Sequence, residues 1–202
     1  MAQTISPIRK EIGPLFNVNF KSLRLTAAQF EQLCSDNRDL RLELTSEGEL
    51  IIMPPAGSKT GLRNARLNQQ LANWADGDLT GLCFDSSTGF SLRNGAKYSP
   101  DSAWITRDRW DALTDEEQEG FAPLCPDFVV ELRSQSDSLS RLQNKMQEYI
   151  ENGATLAWLI DPLKRQVSIY RPGNEPEVLE EPETVSGEPL LRGFVLNLHE
   201  LW

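Results

Sequence analysis

The sequence predicts an α/β or α+β fold, with one mixed β-sheet flanked by helices. Three observations lead there. The elements run as a short helix, a series of antiparallel strands, a helix and then more strands, the order of a sheet covered by helices. Residues 40–53, LRLELTSEGELIIM, begin by alternating apolar and charged side chains and reverse at Glu47-Gly48, as a hairpin does. Residues 137–153, DSLSRLQNKMQEYIENG, carry Leu139, Leu142, Met146, Tyr149 and Ile150 on one stripe. They end on Gly153, where a helix cap belongs.

In chain order, residues 1–21 read as an irregular arm ahead of one domain spanning 22–202. Residues 26–37 form a short helix that Thr26 can cap, with Phe30 and Leu33 on one face and Asp36-Asn37 at its end. After the hairpin, PPAGSKTG is a loop, and 62–75 is a helix burying Leu67, Leu71 and Trp74. GLCFDSSTGFSL and YSPDSAWIT supply two or three strands, with turns at Ser86-Ser87 and Asn94-Gly95. RDRWDALTDEEQEGF is a charged helical connection. PDFVVELRSQSD, residues 126–137, is a strand: Phe128, Val129, Val130 and Leu132 are β-formers between turn residues. TLAWLID and QVSIYR form a hairpin around 162–165, and RGFVLNLHELW adds a short strand and a turn. The segment 174–190 is expected to be an exposed loop dispensable for the core, because its glutamates and prolines bury little apolar surface.

A length of 202 residues fits one domain. The longest apolar run, ATLAWLI, is too short to span a bilayer, and the opening residues are broken by charge and proline, unlike a signal peptide. Cys34, Cys83 and Cys125 form no C-x-x-C, which argues against a disulfide framework and for a reducing cytoplasm. The single histidine, His199, argues against zinc. A net charge of −10 argues against non-specific coating of nucleic acid. Removing Glu175, Glu177, Glu180, Glu181, Glu183 and Glu188, which lie in one segment, leaves −4, so a local nucleic-acid contact stays open. The five tryptophans are scattered and read as core residues.

Glu131 and Arg133 interrupt the apolar run of 128–132 and share a strand face, with Val130 and Leu132 on the other. Either that face is solvated or it holds a charged pair at a site. Asp101 follows Pro100 at the start of another strand, where it is a turn residue or a site residue. Lys145 borders the helix stripe, four residues before Tyr149, where it snorkels or reaches the strands. Two carboxylates converging from adjacent strand ends hold a hard cation such as Mg²⁺ through oxygen. Such a cation activates water and neutralises phosphate charge, and a nearby ammonium stabilises developing negative charge.

The ordered set SPDSAWI, CPDFVVELRSQSDSL, LQNKMQEYIENGA, LAWLIDP and VSIYRPG resembles the Uma family of restriction-endonuclease-like proteins, within the PD-(D/E)XK nuclease superfamily. The resemblance covers roughly residues 22–202. It implies a restriction-endonuclease-like core, a DNA substrate and a Mg²⁺ or Mn²⁺ site. Asp101 and Glu131 then match the metal-binding acids, and Lys145 matches a catalytic lysine moved from the position of Arg133 to the next helix. Arg133, charged at any ordinary pH, and Tyr149 become candidate substrate contacts. Glu43 and Asp85 are secondary candidates for completing the metal shell, with surface or turn roles the expected alternative. The chain departs from the family pattern at Gln135, where proline is common, at Arg141, where an acid is common, and in TGLRNARLN, which has no histidine.

The reading is thus a metal-dependent endonuclease. Cutting both strands of a duplex would favour a homodimer. Its alternative is a non-catalytic member of the same fold that binds nucleic acid or protein. Glycoside hydrolysis by paired carboxylates lacks an aromatic platform near the pair.

Overall fold

The structure, a computed structural model, describes the strand Phe16–Asn19 and residues 25–202. The expected arm 1–21 otherwise lies outside the described residues. Its described part is β1 (Phe16–Asn19), a strand where an irregular segment was expected, antiparallel to β3. Helix α1 (Ala27–Asp36) starts at a reciprocal capping box between Thr26 and Gln29. The expected hairpin is β2 (Arg41–Leu44) and β3 (Glu49–Met53), with Gly48 at φ 81° in the turn. With β5 (Phe90–Ser91) and β6 (Lys97–Tyr98) these make a five-stranded sheet in the order β1-β3-β2-β6-β5. Phe30, Leu42, Leu44 and Leu50 form the small core under α1.

Helix α2 (Ser58–Asp78) is longer than the sequence pattern suggests, because it begins inside the PPAGSKTG segment expected to be a loop. The apolar stripe starts only at Leu67, so the polar first turns carry no periodic signal. The main sheet has six strands in the order β11-β10-β9-β8-β7-β4. They are β4 (Gly81–Asp85), β7 (Ser102–Thr106), β8 (Phe128–Leu132), β9 (Leu156–Asp161), β10 (Gln166–Tyr170) and β11 (Glu177–Glu180). Only β8 and β9 are parallel, joined through α5 (Leu139–Asn152), so the sheet is mixed as expected. Gly153, at φ 116°, caps that helix.

Alternation along β8 sorts its side chains between two layers. Phe128, Val130 and Leu132 pack with Leu67, Leu71 and Ala75 of α2. Val129 packs on the other face with Met146 and Tyr149 of α5. Trp104 and Trp158 are buried in the α2 layer, as expected of core residues. The charged connection holds two short helices, α3 (Arg107–Asp111) and α4 (Asp115–Glu119).

The exposed-loop expectation for 174–190 needs correction. Its six glutamates are exposed. Yet Glu177–Glu180 adds an edge strand to β10, and β12 (Thr184–Ser186) pairs with β13 (Val195–Asn197). Val185 is 2% exposed and lies in the main core beside Leu196. Composition averaged over the segment hides the burial of Val185 and Gly187 and a strand register that only the neighbouring chain supplies.

Candidate active site

Strand β8 runs between two partners and every residue in it is buried, so the solvated-face alternative for Glu131 fails: it is 6% exposed. It lies on the Val129 face, toward α5. Strand β7 pairs antiparallel with β8 at Ser102↔Val130, and one further step in that register sets Asp101 across from Glu131. The half-buried Asp101 carboxylate is fixed from two sides. Its Oδ2 accepts from the backbone N–H of Leu132 at 2.8 Å, and its Oδ1 accepts from Asn64 Nδ2 of α2 at 3.0 Å.

The two sheets meet at this spot. Leu44 of β2 pairs with Lys97 of β6, and the chain then turns through Ser99 and Pro100 into β7. Ser99 N donates to Glu43 Oε1 at 2.8 Å, which brings a carboxylate of the first sheet to the edge of the second. Glu43 is 2% exposed. The surface role expected as the alternative for it is thereby excluded. Its burial depends on a sheet–sheet junction that the local sequence does not reveal.

Lys145 joins the two acids. Its Nζ lies 2.8 Å from Glu131 Oε1, 2.9 Å from Glu43 Oε1 and 3.1 Å from Glu43 Oε2. It also sits 4.8 Å from the centroid of the Tyr98 ring. The Tyr149 hydroxyl donates to Glu131 Oε1 at 3.0 Å. Tyr149 is fully buried, so it orients Glu131 from beneath.

The remaining candidates lie elsewhere or are occupied. Arg133 NH1 is paired with Asp161 Oδ2 at 2.7 Å, and the Asp161 side chain is 4% exposed. Asp85 is exposed and holds its own turn, accepting from Ser87 N at 2.9 Å and Ser87 Oγ at 2.6 Å. Arg141, the unusual residue four before Lys145, forms an ion pair with Glu49 of β3. Sequence reasoning missed Asn64 and Asn68. Their i, i+4 spacing beside Leu67 and Leu71 was the available signal, since it puts both amides on one edge of the buried helix face.

Burial pushes the Glu131 carboxyl up to about 7, with Lys145 pulling it down and Asp101 and Glu43 adding to the rise. Burial also raises Asp101, against the opposing hydrogen bonds from Leu132 and Asn64. Burial alone would lower the Lys145 ammonium, but Glu131 and Glu43 outweigh it and hold it above the usual lysine range. Glu131 and Glu43 thus share one ammonium with Asp101 nearby, and a proton retained on Glu131 relieves the repulsion. A carboxyl whose folded value is raised contributes stability that is present below its ordinary value of 4.5 and is lost as pH rises through about 7. The metal-free protein is expected to lose stability across that window, measured as the denaturation midpoint at pH 5 and pH 8. A midpoint that rises over the window, or an equal fall in Glu131→Gln, would sink this assignment.

The donor set fits a hard divalent cation. Asp101 and Glu131 offer carboxylate oxygens at neighbouring positions of paired strands, Asp101 braced by Asn64 of α2 and Glu131 by Tyr149 of α5. Beside Asp101, Asn64 Oδ1 is buried and has no hydrogen-bond partner among the described residues. Among the described residues no group of three or more His, Cys, Asp or Glu could hold a metal ion.

A family model described as Uma2, putative restriction endonuclease, matches residues 27–199. The chain belongs to the Uma2 family. The match runs from α1 through β13 and includes the positions of Glu43, Asp101, Glu131 and Lys145. A crystal structure of a putative nuclease belonging to DUF820 from Anabaena variabilis shares the fold, with TM-score 0.64 and 21% identity over 74% of this chain and 82% of that one. The restriction-endonuclease-like core expected for a Uma2 chain is therefore the fold observed. A DrdV–DNA complex matches with TM-score 0.39 and 16% identity over 60% of this chain and 10% of that one, too weak a likeness to carry an argument. No curated protein matches. Among the described residues no helix is long and apolar enough to cross a membrane.

Proposed function

We propose that the chain is an endonuclease that hydrolyses DNA phosphodiester bonds with Mg²⁺ or Mn²⁺. The observation that carries this reading is that Lys145 Nζ lies 2.8 Å from Glu131, which stands across from Asp101 of the paired strand. Asp101 and Glu131 would hold the cation, which supplies an activated water and neutralises charge on the phosphate. Leu132 N–H and Asn64 fix the rotation of Asp101, and Tyr149 fixes Glu131, so neither carboxylate has to reorganise on binding. Lys145 holds its proton and places positive charge beside the reacting phosphate. Glu43 anchors that ammonium from the first sheet. The ion pair of Arg133 with Asp161 supports a scaffold role, in place of the substrate contact expected from sequence. A homodimer would bring two such sites to the two strands of a duplex. Three free thiols suit a reducing cytoplasm.

Calorimetry with Mn²⁺ and nicking of supercoiled plasmid test the reading together. The wild type is expected to take up Mn²⁺ and to nick, and Asp101→Asn and Glu131→Gln, still folded by circular dichroism, are expected to lose both. Uptake of Mn²⁺ without cutting of any DNA or RNA would favour a binding-only member of the family. Absence of Mn²⁺ uptake by the wild type would overturn the metal site.

A further inference from the structure

We propose that Asn64 is a third protein ligand of the site. Its amide N–H fixes the Asp101 carboxylate, and its amide oxygen is a further oxygen donor to the divalent cation. This rests on the metal-site reading above.

The side chain is delivered by a stitched helix. Leu67, Leu71 and Ala75 anchor α2 in the core. One turn after Asn64, Asn68 Nδ2 donates to the backbone oxygen of Asp101 at 2.9 Å and to that of Asn64 at 3.0 Å. Asn68 Oδ1 accepts from Ser102 Oγ at 2.9 Å. Helix and strand start are therefore tied at residues 101 and 102, and Asn64 has little freedom to move away from Asp101.

The amide orientation follows from its partner. An ionised carboxylate only accepts, so the NH₂ end of Asn64 must face Asp101 Oδ1, and the oxygen end is left to find a donor or a cation. No described residue supplies a donor, and the atom is buried. Leaving a buried carbonyl unsatisfied costs about 1–3 kcal/mol, and folded proteins leave few such groups. A serine or a lysine could brace the carboxylate without stranding an oxygen. An amide offers both a donor to Asp101 and a separate oxygen acceptor beside it. Amide oxygens are ordinary ligands for hard divalent cations.

The probe is Mn²⁺ alone, read by calorimetry and by thermal melts with and without the metal. Asn64→Ala is expected to weaken Mn²⁺ binding by roughly 10–100-fold, the scale for losing a group that orients a metal ligand. Asn64→Asp gives a second readout, useful if Asn64→Ala folds poorly. Its new carboxylate repels Asp101, so the metal-free Tm falls below that of wild type. Saturating Mn²⁺ should then raise its Tm by more than it raises the wild type's. A clamp with no metal contact also loosens Asp101 in Asn64→Ala, so Asn64→Asp separates the two: a clamp predicts no extra gain from Mn²⁺ there. That result, or wild-type Mn²⁺ affinity in Asn64→Ala, overturns the assignment of Asn64 while leaving Asp101 and Glu131 as ligands. Failure of the wild type to bind Mn²⁺ overturns both.

Discussion

Lys145→Ala is expected to lower plasmid nicking in Mn²⁺ by roughly two to three orders of magnitude, the scale seen when one preorganised electrostatic contact is lost. The ammonium is held by Glu131 at 2.8 Å and Glu43 at 2.9 Å, and its side chain is 12% exposed. In that partly desolvated position its charge acts on a phosphate more strongly than it would in water. The same removal leaves two buried carboxylates without their counter-charge. Breaking such a pair costs about 3–5 kcal/mol in the metal-free protein. Mn²⁺ should recover part of that loss, because a bound cation replaces the missing positive charge. Mn²⁺ binding should survive, since the carboxylates of Asp101 and Glu131, the proposed ligands, remain. The comparison requires nicking rates at equal folded concentration and denaturation with and without Mn²⁺. A Lys145→Ala protein that cuts at the wild-type rate would remove Lys145 from the chemistry.

Arg133→Ala is expected to act on stability first. The guanidinium closes a 2.7 Å pair with Asp161, at the end of β9, and both side chains are largely buried. Removing one partner strands the other charge, again at about 3–5 kcal/mol. Nicking per folded molecule should stay near wild type. Asp161→Asn should destabilise as well. The double change Arg133→Leu with Asp161→Leu should recover much of the loss, since an apolar pair leaves no uncompensated charge. Lost nicking with an unchanged Tm would return Arg133 to the substrate.

The contrast between these two cations marks how far the sequence reaches. Both carry charge near Glu131, and the superfamily spacing alone points to Arg133. The helix stripe of Leu142, Met146 and Tyr149 is legible in the sequence and places Lys145 at the rim of α5. What the ammonium touches was not legible, because one of its two partners, Glu43, comes from a different sheet about a hundred residues earlier. Asn64 was only partly legible for a similar reason. Its i, i+4 spacing with Asn68 marks one edge of the buried helix face, but its meaning comes from Asp101 across the sheet.

The sequence by itself determined the hairpins, the amphipathic helices, the mixed sheet and the two strand ends that carry Asp101 and Glu131. Those features are written in local patterns: side-chain alternation with period two, apolar stripes with period 3.6, and caps such as Thr26 and Gly153. Only the tertiary structure decided that Val185 belongs to the core, that Arg133 is held by Asp161, and that Glu43 and Glu131 share Lys145. The physical reason is the same each time. Charge pairing and desolvation depend on distance and burial, and both are set by chain segments far apart in sequence.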